Sequence, residues 1–369
     1  MNLNFKLRLD NFKSYLASRN VDVALIVSHE NIQYITGFYT TTYPPKDAYL
    51  VIPVHGEPLL IVPSVNYHEA LREVKLGSVE KLPQGSTFIE FVKGVLKGLR
   101  LKGAMGIEDE LLPYGFVKRL RRALKIKSFT SISEGLKRIR SVKDSEELQL
   151  IKKAVATAEK GLERASEVIK AGVKEFEVAA EAEYAMRMYG GQGIAFDTIV
   201  ASGPLSAYPH ATTTDKVIQR GDFVIVDIGT RILGYRSDVT RTFIAGSVSA
   251  KQRRLYEAVL EAQKRALNVI KSGIRASKPD REARYYISRR GLGEWFTHGL
   301  GHGIGLNVHE PPTLSPTSND VLREGNVVTV EPGVYVEGFG GVRIEDMVYV
   351  KSEGVELLTS FGRDLRVLT

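Results

Sequence analysis

Five side chains in the C-terminal half of this chain could together hold metal ions. They are Asp227 in a VDIG run, Asp238 in RSDVTRTF, His302 in GLGHGIG, Glu331 in VEPGVY and Glu345 in VRIED. Carboxylate oxygens with one imidazole nitrogen form a hard donor set, which suits Mn²⁺, Co²⁺ or Fe²⁺ better than a typical structural Zn²⁺ site. Four carboxylates balance the charge of two divalent cations. Left without cations they crowd like charges, raise one another's pKa values and weaken the fold locally. A paired-metal site in a soluble protein points to hydrolysis by a metal-activated water.

The elements that must position these residues are legible from pattern. The N-terminal stretch MNLNFKLRLDNFKSYLASRN reads as an amphipathic helix with Leu9, Phe12 and Leu16 on one face. Residues 21–27 (VDVALIV), 49–53 (YLVIP) and 59–62 (LLIV) have the length and composition of buried strands. A helix is expected over 88–98 and a strand over 104–107, giving a small α/β domain at 1–130. Polar, basic residues 131–142 read as a linker, and the second domain runs 143–369. Asp144 and Glu147 form a capping-box pattern ahead of a long helix. Its apolar face is expected at Leu148, Ile151, Val155, Ala158, Leu162 and Ala165, with Gly172 ending it.

Beyond Gly190, strand-like runs at 198–201, 223–228, 327–330 and 347–350 alternate with two helices, 249–272 and 280–290. Every candidate ligand lies in or beside such a run, which suits a rigid sheet floor presenting donors to one concavity. The segment Asp227-Ile-Gly, followed by Asp238, parallels Glu331-Pro-Gly, followed by Glu345, and suggests a duplicated half-domain. The glycines at 299, 301, 303 and 305 fit close backbone packing. No Gly-Lys-Ser/Thr follows them, so they do not form a phosphate loop. They also separate His298 from His302, which argues against a helical histidine pair.

Composition excludes several classes of function. The chain has 369 residues, 43% of them hydrophobic, and no cysteine. Disulfides, thiolate catalysis and cysteine zinc sites are therefore ruled out, and a cytoplasmic location is expected. No run of about 20 apolar residues is present, so no membrane association is expected. The formal net charge of +8 is spread over solvated helix faces, and no nucleic-acid motif accompanies it, so no nucleic-acid partner is expected.

At the candidate ligands the chain resembles the pita-bread metallopeptidases, which include methionine aminopeptidase, Xaa-Pro aminopeptidase and Xaa-Pro dipeptidase (prolidase). The likeness is carried by Ser202-Gly203, Pro209-His210, Val226-Asp227-Ile228-Gly229 and Ser237 to Phe243. It continues through Gly301 to Gly305, His309-Glu310, Glu331-Pro332-Gly333 and Val342 to Asp346. The segment from Asn31 to Phe38 resembles the creatinase-type N-terminal domain of the proline-specific members. The resemblance implies an α/β (α+β) fold, with a C-terminal pita-bread catalytic domain and a smaller N-terminal creatinase-like domain. It implies a homodimer that hydrolyses small proline-containing peptides with two divalent ions per subunit, Mn²⁺ or Co²⁺, with Fe²⁺ and Zn²⁺ as alternatives.

By the same resemblance, Asp227 holds one metal, Asp238 and Glu345 bridge both, and His302 and Glu331 hold the second. Glu331 is also the expected proton shuttle. His210 and His309 are expected to bind substrate and stabilise the oxyanion. His298 has a substrate or supporting role, and Arg343 orients Asp227 or a substrate carboxylate. The loop from Gly37 to Asp47, with Tyr39 and Tyr43, is expected to reach a partner's active site. Some prolidases carry an arginine just after His-Glu-x-Pro, where this chain has Thr313, so Arg323 or Arg343 would have to substitute. The expected activity is Xaa-Pro dipeptidase, with Xaa-Pro aminopeptidase as rival. A non-catalytic peptide- or nucleic-acid-binding module, or a metal-free creatinase, fits less well because all five ligands are present.

Overall fold

A computed structural model describes residues 3–39, 48–97 and 103–369. It divides into two compact units, 1–140 and 141–369. Part of the loop expected from Gly37 to Asp47, including Tyr43, lies outside the described residues.

The first unit runs α1 (Phe5–Ser18), β1 (Val21–Ile26), α2 (His29–Thr36), β2 (Tyr49–Pro53), β3 (Leu59–Val62), α3 (Tyr67–Glu73) and β4 (Ser78–Lys81). It continues through α4 (Phe88–Leu96), β5 (Ala104–Ile107), α5 (Tyr114–Leu124), β6 (Phe129–Ser131) and α6 (Ser133–Ser141). Its six strands form one mixed sheet in the order β4-β3-β2-β1-β5-β6. Leu9, Phe12 and Leu16 are buried on α1 as their spacing requires. The stretch expected as a linker is mostly the helix α6. Its Leu136 is fully buried, which keeps it within the first unit almost to residue 140.

The second unit opens with α7 (Ser145–Val168) and α8 (Glu175–Met188), followed by β7 (Ile199–Ser202), β8 (Phe223–Ile228), β9 (Arg231–Ile232), β10 (Tyr235–Arg236) and β11 (Val239–Ala245). Then come α9 (Ala250–Val269), α10 (Ser277–Arg289), β12 (Gly301–Gly303), β13 (Glu310–Leu314), β14 (Val327–Val330), β15 (Gly333–Val336), β16 (Gly340–Arg343), β17 (Asp346–Val350), β18 (Val355–Leu357) and β19 (Val367–Leu368). The Asp144–Glu147 capping box forms and starts α7. The helix stops at Val168, before Gly172, which serves the following turn at φ 96°. Leu148 is only half-buried, whereas Leu150 and Ala154 are buried, so the packed face is wider than a single stripe and rotated from the expected one. Ser249 caps α9 as read, and α10 begins three residues earlier than expected, at Ser277.

Two sheets matter for function, one ordered β19-β11-β8-β7 and the other β13-β12-β14-β17-β18. Side chains alternate across a strand, so each strand has one face for the core and one for the site. On β8 and β11, residues Val224, Val226, Ile228, Val239, Phe243 and Ala245 pack against α7 and α8 with Ala158, Leu162, Val178 and Ala182. On β14 and β17, Val328, Val330, Val348 and Val350 pack with Val259, Ala262 and Ala266 of α9. Each fully buried side chain of this size contributes roughly 1.5–3 kcal/mol by leaving water. The opposite parity therefore presents Asp227, Asp238, Glu331 and Glu345 away from the helices. A one-residue slip in either ladder would bury these charges against apolar helices, so the core fixes the register of the site. Among the described residues no helix is long and apolar enough to cross a membrane.

Candidate metal centre and active site

The four carboxylates come from two antiparallel ribbons. β8 pairs with β11, with Asp227 opposite Thr240, and Asp238 immediately precedes β11. β14 pairs with β17, with Val330 opposite Asp346, so Glu331 and Glu345 flank the end of that ladder. Each ribbon thus contributes two carboxylates, directly opposed in the second and offset by two residues in the first, where Asp227 faces Thr240.

His302 lies in β12, a three-residue strand whose other two residues are glycines, with no apolar alternation to mark it in the sequence. The glycines are required by proximity. A Cβ at Gly301 would stand 2.1 Å from Thr329 O, and one at Gly303 would stand 2.3 Å from Pro311 O. His302 Nδ1 lies 3.1 Å from Gly303 O, a contact that places the ring proton on Nδ1 and leaves the Nε2 lone pair free. Nε2 faces Glu331 Oε1 at 3.4 Å and Asp238 Oδ2 at 3.7 Å. Donor atoms of Asp238, His302 and Glu345 all lie within 4.8 Å of one another.

All five candidate ligands line one cavity of about 640 Å³, together with His210, His298, His309 and Arg343. Phe196, Asp197, Ile199, Val308, Thr313 and Ser315 complete much of its wall. Arg343 holds Asp227, with Nη2 donating to Oδ2 at 2.5 Å. Its other nitrogens donate to Tyr335 Oη (2.9 Å), Pro209 O (3.1 Å) and Thr240 Oγ1 (3.2 Å). Tyr335 Oη in turn lies 2.9 Å from His298 Nε2, while His298 Nδ1 meets Gly299 O at 2.7 Å. Both nitrogens of His298 are thus engaged within the protein. Its ring also lines the cavity wall. Arg323 is exposed and does not line the cavity, so it does not replace the arginine absent at Thr313.

Several supporting residues escaped the sequence reading. Thr240 donates to Glu345 Oε2 at 2.7 Å, and Thr329 accepts from the His302 N–H at 3.1 Å. The Asp238 N–H donates to Met347 Sδ at 3.2 Å. Behind the second ribbon, the Gln263 amide of α9 donates to Val330 O, Ile344 O and Asp346 Oδ2, bracing the backbone beside Glu331 and Glu345. Single hydroxyls and amides carry no local signal, and only strand parity could have marked Thr240 and Thr329 as site-facing.

The electrostatics test whether this donor set fits cations. Burial, then the charges of Glu345, Asp227 and Glu331, hold Asp238 well above the ordinary carboxylate range. Burial, then Glu331 and Asp227, does the same to Glu345. Burial pushes Glu331 up to about 8. Burial also lowers His302 and His298 to about 4 each, so both rings are neutral at pH 7 and His302 is ready to ligate. Asp227 Oδ1 and Glu345 Oε1 are buried without a hydrogen-bond partner among the described residues. Unpartnered carboxylate oxygens in a crowded acidic cluster are what divalent cations satisfy, so the residues fit the metals that the sequence implied.

Comparison with known proteins agrees. The profile of metallopeptidase family M24 matches residues 149–352, and that of the creatinase/prolidase N-terminal domain matches residues 8–142. The Xaa-Pro dipeptidase of Pyrococcus horikoshii is 41% identical over 352 residues, 95% of this chain and 96% of that one. The crystal structure of the prolidase from Pyrococcus horikoshii OT3 superposes with a TM-score of 0.90 at 40% identity, covering 97% of this chain and 99% of that one. The X-Pro aminopeptidase of Thermotoga maritima is also similar, with a TM-score of 0.90 at 35% identity, covering 98% and 99%. With a creatinase-type domain ahead of a carboxylate-lined cavity on a pita-bread sheet floor, the chain belongs to metallopeptidase family M24.

Proposed function

We propose that this protein is a metal-dependent Xaa-Pro dipeptidase. The observation that carries the reading is the convergence of four carboxylates and a neutral, lone-pair-bearing imidazole in one cavity, in a chain similar to prolidases along nearly its whole length. Asp227, Asp238, His302, Glu331 and Glu345 would hold two divalent ions, Mn²⁺ or Co²⁺ by the hardness of their donors. When bound, such ions polarise a carbonyl and make water a nucleophile near neutral pH.

The chain's own groups do the rest. Arg343 fixes Asp227, and Thr240 fixes Glu345, so the donors are oriented in advance. Glu331 lies in the cavity beside His302, placed for its carboxylate to take a proton from the attacking water and return it to the leaving proline nitrogen. That nitrogen has no hydrogen of its own and must gain one to leave. His210 and His309 line the cavity as hydrogen-bond donors for the substrate carbonyl and the developing oxyanion. Tyr39 belongs to the first unit, where its N–H donates to Glu73 at 3.2 Å. Its contact with a partner subunit's substrate, the homodimer itself and a cytoplasmic location belong to the same proposal, and rest on resemblance and composition. A monomer in sedimentation would remove the dimer.

A second reading, Xaa-Pro aminopeptidase, is favoured by one feature. Among the described residues lining the cavity, Arg343 is the only arginine or lysine, and four of its contacts are already internal. Where a free dipeptide carboxylate would call for a cation, Thr313 and Ser315 offer hydroxyls. Release of proline from Leu-Pro by Mn²⁺-loaded protein, abolished by chelation, is the expected result. Turnover of Leu-Pro-Gly with none of Leu-Pro would select the aminopeptidase, and turnover of neither would remove both.

A further inference from the structure

Behind the cavity lies an ion pair that the mechanism does not use. Lys143 Nζ is 2.6 Å from Glu310 Oε1, and the two side chains are only 1% and 3% exposed. A buried pair of this kind is a weak source of stability, because desolvation of both charges offsets their attraction. Its placement is more informative than its energy.

Lys143 is itself firmly held. Its N–H donates to Gly325 O at 2.8 Å, and its Nζ also reaches Ser141 O, which accepts from Asn326 Nδ2 at 2.9 Å. Glu310 opens β13 and directly follows His309. The β12–β13 ladder breaks register just after His302, so the connecting loop 304–309 leaves the regular sheet. The loop is tied at Gly305 and Leu306, whose carbonyls accept from Arg236 N–H and Nε. Its far end is tied by the Glu310 side chain. A Cβ at Gly305 would stand 2.5 Å from Glu310 Oε1 and 3.0 Å from Lys143 Cε, so the loop passes directly over the pair. The His309 ring is solvent-exposed and meets the His302 ring edge-on, with centroids 4.2 Å apart.

We propose that the Lys143–Glu310 pair is a positioning device for His309. It pins the backbone at Glu310 and so sets the direction from which the His309 ring enters the cavity against His302. This rests on the reading of His309 as a substrate-contacting residue. Neither Lys143 nor Glu310 touches the substrate in this scheme.

The test uses Mn²⁺-loaded full-length protein carrying Lys143→Met and Glu310→Gln together, which leaves no orphan buried charge. Bound metal should be unchanged and KM for Leu-Pro should stay within about threefold. kcat should fall by about 10- to 100-fold, the scale of a displacement of roughly 1 Å in a positioned group. Adding His309→Ala to this background should then bring kcat only to the level of His309→Ala alone, a further fall of about 10-fold, against roughly 10²–10³-fold in the wild-type background. A full, additive effect of His309→Ala in both backgrounds would overturn the proposal, as would wild-type kcat in the double variant. Should the double variant not fold, Lys143→Arg takes its place with the same readouts. If wild-type protein does not turn over Leu-Pro, the functional reading fails by itself, and the crystal structure of the variant decides the inference. A His302–His309 ring separation displaced by about 1 Å or more supports it, and an unchanged pair overturns it.

Discussion

Removing divalent ions should make this protein lose stability as pH rises through neutrality. In the folded, metal-free protein Glu331 titrates at about 8, held up first by burial, against 4.5 for the free carboxyl. Between those values the native state keeps a proton that the unfolded chain has released. The stability this group contributes is complete below pH 4.5, declines by about 1.4 kcal/mol per pH unit above it, and is gone once pH passes about 8. From pH 5.5 to 7.5 the loss from Glu331 alone is about 2.5 kcal/mol. Asp238 and Glu345, also raised by burial and by their neighbours' charge, act in the same direction. In a unit of this size 1 kcal/mol moves the melting temperature by roughly 2–4 °C, so a fall of about 5–10 °C is expected. The assay is thermal unfolding of chelator-stripped protein across that pH range, with Glu331→Gln measured in parallel to subtract every other titrating group. Added Mn²⁺ should stabilise the wild type more at pH 7.5 than at pH 5.5, because cations displace protons. Parallel pH profiles for wild type and variant, or equal Mn²⁺ stabilisation at both pH values, would refute the reasoning.

Asp227→Asn should remove metal loading and turnover together, and retained activity with normal metal content would exclude it as a ligand. His309→Ala should leave bound metal unchanged while lowering kcat by about 10²–10³-fold, measured on Leu-Pro. Gly301→Ala should destabilise the loaded protein by about 1–3 kcal/mol in denaturant unfolding, since its Cβ would meet Thr329 O at 2.1 Å, and an unchanged midpoint would show that the strand can shift.

Much of the candidate metal centre was legible because most of its donors sit in short local patterns in or beside continuous apolar runs of strand length. Phe223 to Ile228 announces a buried strand, and parity then assigns Asp227 to the opposite face from Val226 and Ile228. The capping box at Asp144 is equally local, and it formed. What was not legible depends on contacts distant in sequence. The strand around His302 has three residues, two of them glycine, and is defined only by its neighbours. Tyr335 matters because it bridges His298 and Arg343, a link that no spacing encodes. Arg323 looked available as a carboxylate-binding cation because sequence carries charge but not direction. The expected linker formed α6 because Leu136 and its neighbours find a core.

Neither ribbon holds a complete donor set, and this division orders events in time. A nascent chain that ends before Glu331 has Asp227 and Asp238 but no carboxylate of the second ribbon to share a cation. Ion capture therefore belongs to the finished domain. It rewards closure of the last strands onto the first, acting as a late checkpoint that distinguishes a completed enzyme from a partly assembled one.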